Sequence, residues 1–100
     1  MIARLVKGKI KKDKLTDFTK LYREFLLKRS GEYSEGNKGS QLLVNKTTNE
    51  VVAFSLWETE EKMNAALGNE WNESLRAETS PYLEGSKETF VFEVTTSVNF

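Results

Sequence analysis

Residues 51–61 read VVAFSLWETEE, which predicts a strand that runs directly into a capped helix. Alternation places one set of apolar side chains on each face of the strand, Val52, Phe54 and Leu56 against Val51, Ala53 and Trp57. Thr59 is a good N-cap, and Glu60 and Glu61 suit the first turn of the helix. A strand that is apolar on both faces is typical of burial on both faces. The sheet that holds this strand therefore needs cover on two sides.

The stretches before this strand predict a strand, a helix and a hairpin. Residues 2–10 alternate as a strand, and the lysine-rich run 11–14 ends it. Apolar residues then step by three and four from Leu15, which predicts a helix to about Arg29 that stops at Gly31. Asp13 is expected to cap this helix or to lie in its first turn. After a polar loop over 32–39, residues 41–46 form a short strand and pair with 51–57.

The C-terminal part predicts two helices and a last strand. Gly68 ends the helix that starts after Thr59, and Asn69 caps a second one that closes at Ser80-Pro81. Residues 87–98 alternate as the last strand. The resulting order is the ferredoxin-like βαββαβ pattern of an α+β protein, with an antiparallel sheet and helices on one face. We expect one domain over residues 1–100.

The uncovered side of such a sheet predicts self-association. We expect Val51, Ala53, Trp57 and Val91 to lie on it and to form a large exposed apolar patch. A second copy of the chain, sheet against sheet, would cover that patch with an ordinary interface of about 800 Å² per partner. The sequence therefore predicts a homodimer through the sheet face.

Composition narrows the function. The 100 residues include 15 basic and 15 acidic side chains and neither Cys nor His, so thiol chemistry and sites built on histidine are excluded. We expect no metal and no cofactor. An RNA-recognition function is disfavoured by the zero net charge and by a first strand without aromatic residues, so we expect no nucleic-acid partner. We find no membrane-spanning run and no signal peptide, and expect no membrane partner and a cytoplasmic location.

Several side chains could bind a ligand, and each also has a packing interpretation. Trp57 and Trp71 could stack a planar molecule, Arg76 could bind an anionic oxygen, and Tyr22, Tyr33 and Tyr82 could donate hydrogen bonds. Arg4 lies in the middle of an apolar strand and predicts either a buried ion pair with Glu93 or a place in the pocket lining.

Three stretches resemble the antibiotic biosynthesis monooxygenase-like family. They are residues 1–10 (MIARLVKGKI) with the lysine-rich turn and long helix after them, residues 54–61 (FSLWETEE), and Gly36 and Gly39 before a strand. The resemblance implies a dimeric α+β barrel with a pocket between helices and sheet in each subunit. It also implies one of the family's roles: cofactor-independent oxygenation of aromatic polyketides or quinols, haem degradation, or an unknown one. In the haem-degrading members the Trp and His positions correspond here to Ala66 and Arg76, which argues against that activity.

Two functional hypotheses follow. The first is a cofactor-independent monooxygenase acting on a small aromatic substrate of polyketide or quinol type. Its substrate-binding residues would be Trp71, Arg76, Tyr82 and Tyr22, and the sequence identifies no catalytic residue. The second is a non-catalytic dimeric module that binds a small molecule or serves a structural role.

Overall fold

A computed structural model describes residues 1–28 and 35–99. The elements follow in the order β1 (Ile2–Lys9), α1 (Leu15–Leu27), β2 (Asn37–Asn45), β3 (Glu50–Trp57), α2 (Glu60–Leu67), α3 (Glu70–Thr79) and β4 (Glu88–Glu93), with a 3₁₀ turn over Ser80–Tyr82. The predicted α+β class and the ferredoxin-like order of elements are confirmed.

The sheet has four strands in the order β2-β3-β1-β4, and every neighbouring pair is antiparallel. Pairing across it places Arg4 opposite Ser55 on one side and Val91 on the other. Because directly opposed residues of an antiparallel pair point to the same face, these rows fix which side chains share a face.

Strand ends differ from the prediction at both edges of the sheet. The first edge strand, β2, begins at Asn37 rather than at residue 41, and its register shifts between Asn37 and Gly39. The amide side chain of Asn37 stabilises the irregular start by accepting from the Gly39 N–H at 3.0 Å. The last strand ends at Glu93 rather than at residue 98, because its partner β1 begins at Ile2 and the final bond is Val94 N–H to the Met1 carbonyl, 2.8 Å.

Two predicted helix caps are confirmed and one is wrong. Thr59 Oγ1 accepts from the Lys62 N–H at 3.1 Å, and Asn69 Oδ1 accepts from the Asn72 N–H at 2.9 Å. Asp13 does not cap α1, because its backbone takes a left-handed conformation (φ 64°) in the turn and Lys14 occupies the cap position. The predicted helix end at Arg29 and Gly31, the first part of the polar loop 32–39 and Tyr33 lie outside the described residues.

The helices cover the face of the sheet that the sequence predicted to be uncovered. Trp57 is 2% exposed and packs against Met63 and Ala66 of α2, while Val51 packs with Phe18 of α1. Val51, Ala53 and Trp57 therefore face the helices and do not form an uncovered patch. Val91 is on the same side by register but exposed, because β4 is an edge strand. The strand is apolar on both faces, so alternation alone could not tell which face the helices cover.

The other side of the sheet, which we call the open face, is apolar as well. Its large apolar members, placed by register, are Leu5, Leu43, Val52, Phe54, Leu56, Phe90 and Phe92. Phe90 and Phe92 stack with ring centroids 6.4 Å apart, and both are exposed. The sheet therefore has an apolar patch on its uncovered face, but the patch consists of the alternate residues of each strand and not of those predicted.

The buried core consists of two clusters at opposite ends of the helix-facing side. One joins Ile10, Phe18 and Val51, and the other joins Trp57 to α2.

Replacing Trp57 by alanine should lower the free energy of unfolding by about 3–5 kcal/mol, because it removes the largest fully buried side chain. Urea denaturation at fixed protein concentration measures this. Leu27→Ala is the control: Leu27 is 78% exposed and its loss should change stability by less than about 0.5 kcal/mol. Equal effects of the two substitutions would contradict the assignment of the core.

Candidate functional site

A cavity of about 130 Å³ lies between the two core clusters, under the helices. Its floor is the middle of the sheet, where Arg4, Ser55 and Ser40 form one row across β1, β3 and β2. Ala53 lies in the next row. Because these floor residues are short or polar, the space above them is not filled as it is at either end of the sheet.

Aromatic and aliphatic side chains form most of the walls. The first helix contributes Phe18, Tyr22 and Leu26, and the second and third contribute Leu67, Trp71 and Leu75. The Trp71 ring meets Phe25 edge-on at 5.8 Å, and Tyr22 lies 5.8 Å from Phe18. Such walls suit a planar apolar ligand, because aromatic rings stack and meet edge to face.

Arg4 is the charged group on the floor. It is half-buried, and among the residues that the structure describes it forms no ion pair. Burial lowers the pKa of the guanidinium, the nearby Tyr22 opposes that shift, and the charge of Arg76 adds to it. The predicted Arg4–Glu93 pair is wrong: Glu93 lies opposite Ile2 and is exposed, and Arg4 is opposite Val91. The other interpretation of Arg4, as a pocket-lining residue, is the one that the structure supports.

Two further cations, Arg76 of α3 and Lys87 just before β4, also line the cavity. Arg76 Nη1 donates to the Leu67 carbonyl at 3.2 Å, which ties the guanidinium to the end of α2. Although Lys87 as a residue is exposed, burial of its ammonium group lowers its pKa, and Arg76 and Arg4 lower it further. The three positive charges are thus close enough to act on one another.

The charge of the lining is unbalanced. No Asp or Glu occurs among the described residues that line the cavity, whereas Arg4, Arg76 and Lys87 do. Within residues 1–28 and 35–99, no group of acidic side chains could hold a metal ion. An apolar cavity with uncompensated positive charge suits an anion, since charge interactions are stronger where water is displaced.

The structure brings together three of the four predicted substrate-binding residues. Tyr22, Trp71 and Arg76 line the cavity. Tyr82 is not among the described lining residues: it packs on the cluster of Ile10 and Val51, with its ring 6.2 Å from Phe18. Trp57 also reaches the lining, and its Nε1 donates to Ser55 Oγ at 2.9 Å, so the ring is held in the core.

Sequence reasoning missed Lys87 and Asn72. Lys87 shares the alternation of Thr89 and Val91, which is the signal that could have placed it on the helix side. Asn72 lines the cavity, but its side-chain amide donates to the Ala66 carbonyl, so it also holds α2 against α3.

None of the described helices is long and apolar enough to span a membrane.

No family model matches the sequence, and no curated protein does either. Solved structures do match over nearly the whole chain. A protein described as an antibiotic biosynthesis monooxygenase superposes with a TM-score of 0.80 at 14% identity, over 96% of this chain and 100% of that one. SnoaB, a cofactor-independent oxygenase from Streptomyces nogalater, gives 0.77 at 13% identity, over 97% and 95%. A Nitrosomonas europaea protein of unknown function gives 0.80 at 14% identity, over 98% and 92%.

This chain has the fold of the antibiotic biosynthesis monooxygenases. The resemblance drawn from the sequence is confirmed for the architecture. Because proteins with this fold include an oxygenase and a protein of unknown function, the activity has to be argued from the cavity itself.

The absence of an ion pair between Arg4 and any described residue gives a stability prediction. Arg4→Met should leave the melting temperature unchanged or raise it, because it removes a half-buried cation that has no acidic partner among the described residues. Differential scanning calorimetry tests this, with Glu93→Gln as a control that should be neutral. A large destabilisation shared by both variants would restore the ion pair.

Proposed function

We propose that the chain is a cofactor-independent monooxygenase that oxidises a small electron-rich aromatic substrate of quinol or polyketide type. The observation that carries the proposal is the pairing of aromatic walls with cations in one cavity, whose described lining residues include no Asp or Glu. Trp71 and Tyr22 would position the ring, and Arg76 would bind an oxygen of the substrate. The shared fold with an oxygenase supports the same conclusion.

Such a reaction needs a stabilised substrate anion. A ring hydroxyl or an activated methylene loses a proton to solvent, and the resulting anion donates electrons to O₂. For a methylene between two rings the balance is R₂CH₂ + O₂ → R₂C=O + H₂O: the carbon loses both hydrogens, one oxygen atom becomes the carbonyl and the other leaves as water. Arg4 and Arg76 would stabilise the anion, as fixed positive charges do when placed where negative charge develops.

The alternative is a binding module without turnover. A cavity of about 130 Å³ is smaller than the usual ligand pocket of about 300–1,000 Å³. None of the described lining residues is a histidine or a carboxylate that could act as a general base. A module of this kind would bind the same aromatic anions and release them unchanged.

Oxygen consumption separates the two functions. With a panel of anthrones and quinols, we expect at least one compound to raise O₂ uptake above the rate with heat-denatured protein. Arg76→Gln should lower kcat/KM for that compound by about 10–100-fold, because it removes a charge that the anion needs. Lys46→Gln is the matched control: it removes an exposed charge at the hairpin turn and should have no effect. If no compound in the panel is consumed, the oxygenase proposal fails and the binding module stands.

We further propose that two copies associate through the open face. The helices pack on the opposite side, so the open face leaves Leu43, Phe90 and Phe92 exposed. A second copy offers the same apolar surface and can pair with it about a two-fold axis. Lys7 and Glu50, which form an ion pair at 3.3 Å, lie at the polar end of this surface and would be its rim.

Sedimentation at micromolar concentration tests the dimer. The unmodified chain should sediment as two chains per particle, and Phe92→Lys should shift it to one, because Phe92 is 57% exposed on the open face and stacks on Phe90. Leu27→Lys adds the same charge to an exposed apolar position on α1, away from the open face, and should sediment like the unmodified chain. A single chain per particle without any substitution would rule out the dimer.

A further inference from the structure

The positive charges of the cavity lie at two depths. Arg4 is half-buried on the floor, in the middle of the central strand, next to Tyr22. Arg76 and Lys87 are exposed residues that reach the same lining, so they mark the mouth. A ligand that filled the cavity would meet one cation with its inner end and two with its outer end.

The size of the cavity limits what can fill it. At about 130 Å³ it is close to the roughly 150 Å³ that accommodates a benzene ring in an apolar protein cavity. The aromatic walls favour a planar occupant, and Phe18, Trp71 and Leu75 supply apolar contact for a single ring. A fused polycyclic skeleton is larger than a single ring, so the cavity volume favours a quinol-type substrate over one of polyketide type.

The positive charges at the mouth favour an aromatic ligand with a carboxylate over a neutral phenol or quinol. A neutral phenol or quinol offers one ionisable oxygen, which could pair with Arg4 on the floor. It would leave Arg76 and Lys87 facing each other without a counter-charge among the described lining residues. A carboxylate on the far side of the ring would neutralise both, and an arginine fork binds a carboxylate in a well-defined geometry.

We propose that the cavity is specific for a monocyclic aromatic acid, with its ring hydroxyl toward Arg4 and its carboxylate between Arg76 and Lys87. This inference narrows the substrate class of the proposed oxygenase site and rests on that site. It assigns Lys87 a role in substrate selection that neither its sequence position nor the fold had indicated. A hydroxybenzoate or a dihydroxybenzoate is a monocyclic acid that has both groups, an anionic carboxylate and an ionisable ring hydroxyl.

Anaerobic calorimetric titration tests the proposal without any turnover. The probes are 3,4-dihydroxybenzoate and 3,4-dihydroxybenzamide, which share the ring and both hydroxyls, carry one hydroxyl opposite the variable substituent, and differ in the charge of that substituent. We expect the acid to bind at least about tenfold more tightly than the amide, the usual effect of a charge-assisted hydrogen bond. Raising the NaCl concentration from 0.05 M to 0.5 M should erode that preference, because salt screens charges at an exposed mouth.

Variants of the lining residues identify the side chains that bind the carboxylate. Lys87→Gln should reduce the preference for the acid several-fold, because the acid loses an ion pair with Lys87 whereas the neutral amide loses at most a hydrogen bond. Arg76→Lys keeps the charge but not the fork, and should retain part of the preference. Lys46→Gln, outside the cavity, should retain all of it. Phenyl phosphate is included as a monocyclic anion of a different class.

Each outcome decides between defined possibilities. Any of four results overturns the proposal. They are equal affinity for acid and amide, no binding of either probe, an unchanged preference in Lys87→Gln, and tighter binding of phenyl phosphate than of the acid. If the acid is preferred but no O₂ is consumed when air is admitted, the acid-binding site stands and the oxygenase fails. If neutral quinols are oxidised and the acid is not preferred, the oxygenase stands and the acid-binding site fails.

Discussion

The helices of this chain cover one face of its sheet, while the sheet is apolar on both. Trp57 buries one half of the third strand under α2, and Phe54 on the same strand points to the open face. The first contact fixes where the helices lie and therefore where they leave space. The second leaves a surface that a second copy could cover. Both the cavity and the proposed dimer depend on this two-sided sheet.

Much of the fold could be predicted because its signals are local. Thr59 and Asn69 each satisfy a backbone N–H within their own first turn, so sequence alone locates those helix starts. The choice of the covered face could not be predicted in this way. Residues 51–57 carry apolar side chains on both faces of the strand, so their alternation does not show which face the helices cover. The last strand ended early for a non-local reason, since its length is set by where β1 begins.

The candidate site was predicted in part, and the placement of Arg4 and Lys87 depended on how β4 pairs with β1. Tyr22, Trp71 and Arg76 lie on helices whose stripes are visible in the sequence, and all reach the cavity. Arg4 was recognised as unusual, but its partner depended on register: a shift of two residues along β4 separates Glu93 from Val91. Lys87 was placed in the last strand, but its alternation with Thr89 and Val91 identifies the helix-covered face only once the pairing of that strand with β1 is known. The cavity itself exists because Ser40, Ala53 and Ser55 are small, a feature that becomes visible only when the strands are aligned.

The edge position of β4 has a consequence for how the site is assembled. All six residues of this strand are exposed, and within the described sheet it is hydrogen-bonded to β1 alone. Lys87 immediately precedes it, so one of the three cavity cations is held in place by the least protected strand of the sheet. Local fraying of that strand would withdraw a charge from the cavity mouth while the helices and the central strands stayed folded. If the cavity binds an anion as proposed, its affinity and the pairing of this edge strand would be thermodynamically linked, and a neighbouring subunit that clamps the edge would raise that affinity.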